Sequence, residues 1–88
     1  MRLEDLLKEF NVTIPKGTGN IEIPDDFEEN TRKFEEDDKI KFICTLEDLK
    51  REICIDLSER IISVTFKSDI YSGGEEYSLD GQLIKIMN

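Results

Sequence analysis

The chain has 88 residues, and its 21 acidic and 12 basic side chains give a formal charge of −9 with no histidine. A chain this short removes roughly 60–65% of its unfolded surface from water, enough for one modest core and a single domain over 1–88. The charge argues against binding nucleic-acid phosphates or anionic membranes, both of which need Lys and Arg clusters. The missing histidines remove the commonest general base, the Ser-His and Cys-His pairs and the usual zinc imidazoles.

No apolar run approaches the roughly 18–20 residues a membrane span requires. The N-terminal MRLEDLLKEF carries Glu4, Asp5 and Glu9 and lacks a long apolar stretch, so it does not read as a signal peptide and the expected location is cytoplasmic.

Residues 2–10 read as a short amphipathic helix. Leu3, Leu6, Leu7 and Phe10 share one face of a 3.6-residue period, Glu4 and Asp5 suit the positive end of its dipole, and Asn11 suits a left-handed C-terminal residue. Too short to be stable alone, the helix must dock its leucine face on a sheet. Val12–Ile14 and Ile21–Ile23 are extended, separated by Pro15 and the turn-forming Lys16–Asn20. They are expected to form a weak hairpin.

Residues 25–38, DDFEENTRKFEEDD, hold eight acids and two bases. Phe27 and Phe34 could anchor one helical stripe with Asp25 as N-cap, while repulsion among Glu35, Glu36, Asp37 and Asp38 opposes a regular helix end. The expectation is a short second helix at about 25–34, followed by an irregular acidic link.

The clearest signal is Lys39–Lys67. Apolar residues alternate through Ile40, Phe42, Cys44 and Leu46, then Ile53, Ile55 and Leu57, then Ile62, Val64 and Phe66. Period two in three runs split by polar pairs predicts an antiparallel meander. With Glu47-Asp48 as the first turn, Leu46 faces Leu49, Phe42 faces Ile53 and Ile40 faces Ile55. With Ser58-Glu59 as the second, Leu57 faces Arg60, Ile55 meets Ile62 and Ile53 meets Val64. Cys44 then lies on the apolar face and Cys54 on the other, which precludes a disulfide and predicts two unbridged thiols. The second face is mostly polar, with a small patch of Ile43, Cys54 and Ile61.

Residues 68–76 read as a loop with a Gly73-Gly74 turn, and YSLDGQLIKIM as a last strand with Asp80-Gly81 as a tight turn or bulge. The expected fold is α+β: a short N-terminal helix packed on an antiparallel β-meander of about four to five strands.

No catalytic signature stands out. A reactive thiol needs a cationic neighbour to lower its pKa; Lys41 lies opposite Cys54, but a passive core or surface cysteine is the favoured reading. Lys16-Gly17-Thr18-Gly19 lacks the P-loop pattern and the helix that should follow it. The acidic stretches do not match EF-hand spacing, and a glycosidase carboxylate pair needs a cleft that a domain this small could hardly build. The expectation is a non-enzymatic protein without cofactor or metal.

What remains is a binding surface. Acidic side chains held on a rigid sheet can imitate the regular negative charge of a nucleic-acid backbone, about one charge per 1.7 Å of DNA axis. The candidate partner-binding residues are Asp25, Asp26, Glu28, Glu29, Glu35, Glu36, Asp37 and Asp38, followed by Glu47, Asp48 and Glu59 at the hairpin tips. In size, charge and class the chain resembles small acidic inhibitors such as anti-CRISPR and nuclease-toxin immunity proteins, although no motif of either is matched. That resemblance implies an inhibitor, monomeric or weakly dimeric, that occupies the basic nucleic-acid-binding surface of another protein. The alternative is a structural or adaptor module that dimerises or docks through an apolar sheet patch.

Overall fold

The structure is a computed structural model and describes residues 1–14, 21–24, 27 and 30–87. A seven-residue helix, α1 (Leu3–Glu9), precedes six strands: β1 (Thr31–Glu36), β2 (Lys39–Leu46), β3 (Leu49–Asp56), β4 (Ile61–Lys67), β5 (Ser72–Ser78) and β6 (Leu83–Met87). They form one antiparallel sheet in the order β1-β2-β3-β4-β5-β6, a plain meander. The α+β class stands, but the sheet has six strands rather than four or five.

The central register agrees with the alternation. Leu46 pairs with Leu49, Phe42 with Ile53, Ile40 with Ile55, Ile55 with Ile62 and Ile53 with Val64. A one-residue slip would turn every one of these apolar side chains to the wrong face, so burial of one face fixes the pairing. The face bearing Phe42, Cys44, Ile53, Ile55 and Ile62 is the helix face; there these five side chains are completely buried with Leu3, Leu6, Leu7, Ile14, Ile21, Ile23 and Phe27. Phe10 meets Phe42 edge to face at 5.2 Å between ring centroids. The leucine face of α1 therefore docks where its periodicity requires. Asn11 ends the helix in the left-handed conformation (φ 57°), its N–H donating to the Lys8 carbonyl at 3.1 Å.

Three expectations are corrected. The helix expected at about 25–34 does not extend to its C-terminal end: Thr31–Phe34 belong to β1, and Glu35-Glu36 continue that strand instead of forming an irregular link. Residues 25, 26, 28 and 29 lie outside the described residues. A single apolar residue, Phe34, stands in β1, so this strand has no alternation of its own and is held by its ladder to β2. Ile21–Ile23 also does not pair with 12–14. It pairs with the start of the chain, where Leu3 N–H donates to the Ile21 carbonyl (2.9 Å) and Ile23 N–H to the Met1 carbonyl (2.8 Å), so the segment lines the core beside α1. Finally, β5 takes in the glycines expected to form a loop, while the turn expected at Asp80-Gly81 is present and, within Leu79–Gln82, carries the chain into β6, so the tail is two strands rather than one.

Gly74 explains why a glycine-rich segment is a strand. Its φ is +154°, and a Cβ there would come within 2.4 Å of the Val64 carbonyl oxygen and 2.8 Å of Thr65 Cα. Only a residue without a side chain lets β5 approach β4 this closely.

Candidate functional site

Strand alternation and turn placement decide where the acids go. In an antiparallel meander, alternate loops fall at opposite ends of the sheet. The β1–β2 loop (37–38) and the β3–β4 loop (57–60) share one end, and the β2–β3 loop (47–48) lies at the other. The predicted residues therefore do not form one surface.

At the first end the two loops are joined: Leu57 N–H donates to the Asp38 carbonyl at 2.8 Å. Asp56 Oδ1 accepts from the N–H groups of both Ser58 and Glu59 at 3.1 Å. This side-chain-to-backbone pairing holds the β3–β4 loop as a four-residue turn rather than the two-residue turn expected from Ser58-Glu59. Glu36, Asp37, Asp38, Asp56 and Glu59 thus stand together with three bases, Lys39, Lys41 and Arg60. Lys39 Nζ reaches Asp56 Oδ2 at 4.0 Å. A shallow depression of about 230 Å³ between the loops is lined by Glu36, Asp37, Asp38, Lys39, Lys41, Asp56 and Ser58.

Glu35 is separated from this group. It pairs with Ile40 and so faces the helix side, where its carboxylate takes Lys33 Nζ at 3.1 Å. Glu47 and Asp48 occupy the far end, with Asp69 of the β4–β5 loop, which the sequence reading passed over. Asp25, Asp26, Glu28 and Glu29 lie outside the described residues. Among the described residues, no cluster of three or more acidic, cysteine or histidine side chains could hold a metal ion.

Asp37 (φ 51°) and Glu47 (φ 55°) open their two-residue hairpin loops with positive φ. Glycine is the usual residue at such positions. An acid occurs at both instead, in the left-handed region that a Glu side chain tolerates poorly.

The face away from the helix, the open face, has an unexpected charge. By register it carries Arg32, Lys39, Lys41, Lys50, Lys67 and Lys85 against Glu36, Glu52, Asp56 and Glu76. Among the described residues this face therefore carries six bases against four acids. Among the described residues, only Lys39 of these six bases is in an ion pair. Lys50 and Lys67 are directly opposite each other, a like-charge pair that costs stability. Alternation assigns Lys39, Lys41, Lys50, Glu52, Asp56 and Lys67 to one face, but Arg32, Glu36, Glu76 and Lys85 join them only when β1, β5 and β6 are laid beside the central strands. Among the described residues the open face is thus not negative, and loop acids gather at the two ends of the sheet.

The cysteines are on opposite faces, Cys44 buried beside Phe42 and Cys54 half-buried opposite Lys41, and no disulfide joins them. Burial pushes the Cys54 thiol above its ordinary range, outweighing the lowering by Lys41. A nucleophilic thiolate is therefore disfavoured there at neutral pH. Ile43, Cys54 and Ile61 form a diagonal across β2, β3 and β4, each half-buried. The most exposed apolar side chains are elsewhere, at Phe34 on β1, at Leu83, Ile84 and Ile86 on β6, and at Ile70 and Tyr71 in the β4–β5 loop, with Leu57 and Phe66 less so. No helix among the described residues is long and apolar enough to cross a membrane.

Compared with known proteins, the chain matches no family model, no curated protein and no solved structure.

Proposed function

We propose that this chain is a small acidic, non-enzymatic inhibitor that occupies the basic nucleic-acid-binding surface of another protein, in the manner of anti-CRISPR and toxin-immunity proteins. One observation carries the reading: Glu36, Asp37, Asp38, Asp56 and Glu59 gather on and beside two hydrogen-bonded loops at one end of the sheet, five acids against the three bases Lys39, Lys41 and Arg60. Loops fixed by backbone hydrogen bonds present these carboxylates at little further conformational cost, which favours binding. Opposite charge on the partner would steer the encounter. The partner-facing surface is this acidic end, with Glu47 and Asp48 as a second, separate contact, and not the open face.

The test is capture from a host lysate by the wild-type chain and by the triple variant Asp37→Asn, Asp38→Asn, Glu59→Gln, at about 50 mM and about 500 mM salt, followed by mass spectrometry. The expected result is a basic nucleic-acid-handling protein, retained by wild type at low salt and lost both in the variant and at high salt. Recovery of no such protein would overturn the reading.

A further inference from the structure

The two edges of the sheet are built differently. β1 carries Arg32, Lys33, Glu35 and Glu36 in six residues, the charged edge by which sheet proteins discourage pairing with another chain. β6 is Leu83-Ile84-Lys85-Ile86-Met87, and its one charge already sits opposite Glu76 on β5. Leu83, Ile84 and Ile86 are 52%, 57% and 63% exposed. The helix layer explains the difference, because the buried cluster runs from β2 to Ile62 of β4 and fades at Val64, Tyr77 and Leu79. Beyond them, among the described residues, β6 has no cover and nothing pairs with its outer edge.

We infer that β6 is a docking edge for a second copy of this chain, joined antiparallel across a two-fold axis normal to the sheet so that two six-stranded sheets become one. Unpaired main-chain groups along an edge are matched by another strand with the same free groups. Of the sheet's two edge strands, β6 is the one whose side chains fit its own. A β6–β1 contact would set isoleucines against Arg32, Lys33, Glu35 and Glu36, would leave a free edge at each end and would grow without closing. The β6–β6 contact is isologous and closes at two. Its register avoids Lys85 opposite Lys85, a repulsive pair, and so places Ile84 opposite Ile84 or Ile86 opposite Ile86. A five-residue edge is at the small end of specific interfaces, which corresponds to a reversible dimer.

Charge gives this contact a signature opposite to that of the acidic end. Two copies at −9 each repel, and added salt screens that repulsion. Dimerisation should therefore tighten with salt, whereas capture of a basic partner should weaken, and either idea can fail without the other.

The experiment is sedimentation equilibrium of the full chain from about 1 µM to about 1 mM at low and high salt, with amide hydrogen exchange on the same samples. A small interface of this kind corresponds to a dissociation constant in roughly the micromolar range. The expected result is a reversible monomer–dimer equilibrium that tightens severalfold with salt, with β6 amides slowing as concentration rises. Ile86→Lys and Leu83→Glu should each weaken it by about tenfold or more, while Phe34→Lys on β1 leaves it unchanged. Should one variant misfold by circular dichroism, the other and the exchange data still decide. A monomer throughout the range, open-ended growth, or equal weakening by Phe34→Lys would overturn the inference.

Discussion

Glu47 offers a sharp test of the hairpin geometry. It opens the β2–β3 loop at φ 55°, whereas its neighbour Asp48 does not have positive φ. A left-handed conformation costs a non-glycine residue about 1–2 kcal/mol, and Glu47→Gly removes that cost. The glycine also makes the unfolded chain more flexible, which returns about 0.4–1 kcal/mol. The net is a gain of roughly 0.8 kcal/mol. Asp48→Gly brings the flexibility cost without the relief, so it should lose about 0.4–1 kcal/mol. Both variants remove one negative charge at the same tip and share the flexibility cost, so their difference, about 1–2 kcal/mol, is independent of charge to first order. For a domain of this size, 1 kcal/mol moves the melting temperature by about 4–8 °C. Thermal unfolding followed by circular dichroism should place Glu47→Gly above wild type and Asp48→Gly below. Equal shifts, or the reverse order, would refute the argument from loop conformation.

Gly74→Ala should destabilise by about 1–3 kcal/mol, since its Cβ would strike the backbone of β4; urea unfolding measures the loss. Lys67→Glu should gain about 0.2–1 kcal/mol by replacing the like-charge pair with Lys50, and the gain should shrink in salt. Alkaline pH should destabilise the protein. Burial raises the Cys54 thiol in the folded state, so the unfolded state loses its proton first as pH climbs through the ordinary thiol range. The Cys54 contribution is present below that range and is lost as pH rises through the folded-state value; Cys54→Ala should flatten this part of the curve of urea midpoint against pH. Tyr77, raised by burial and by its hydrogen bond to Glu75, adds a further loss at higher pH.

The sequence by itself determined the helix face of α1, the register of β2, β3 and β4, and the separation of Cys44 from Cys54. Each follows from a local period: the 3.6-residue spacing of Leu3, Leu6, Leu7 and Phe10, or the two-residue alternation from Ile40 to Phe66. Where one face of an element is buried, that period leaves a single register. β1 has only Phe34 to mark it, and β5 carries the glycines of a turn, so neither signals itself. Their pairing comes from neighbours distant in sequence, including the close approach that Gly74 permits. The acidic residues were legible as a run, but a run does not say which end of a sheet it reaches. Strand direction sends Glu35 to the helix face, joins Asp37 and Asp38 to Glu59 at one end, and sends Glu47 and Asp48 to the other. The positive excess of the open face and the bare apolar edge of β6 are likewise decided only in three dimensions. Net charge on a face and cover over an edge depend on which strands lie side by side and how far the helix layer extends.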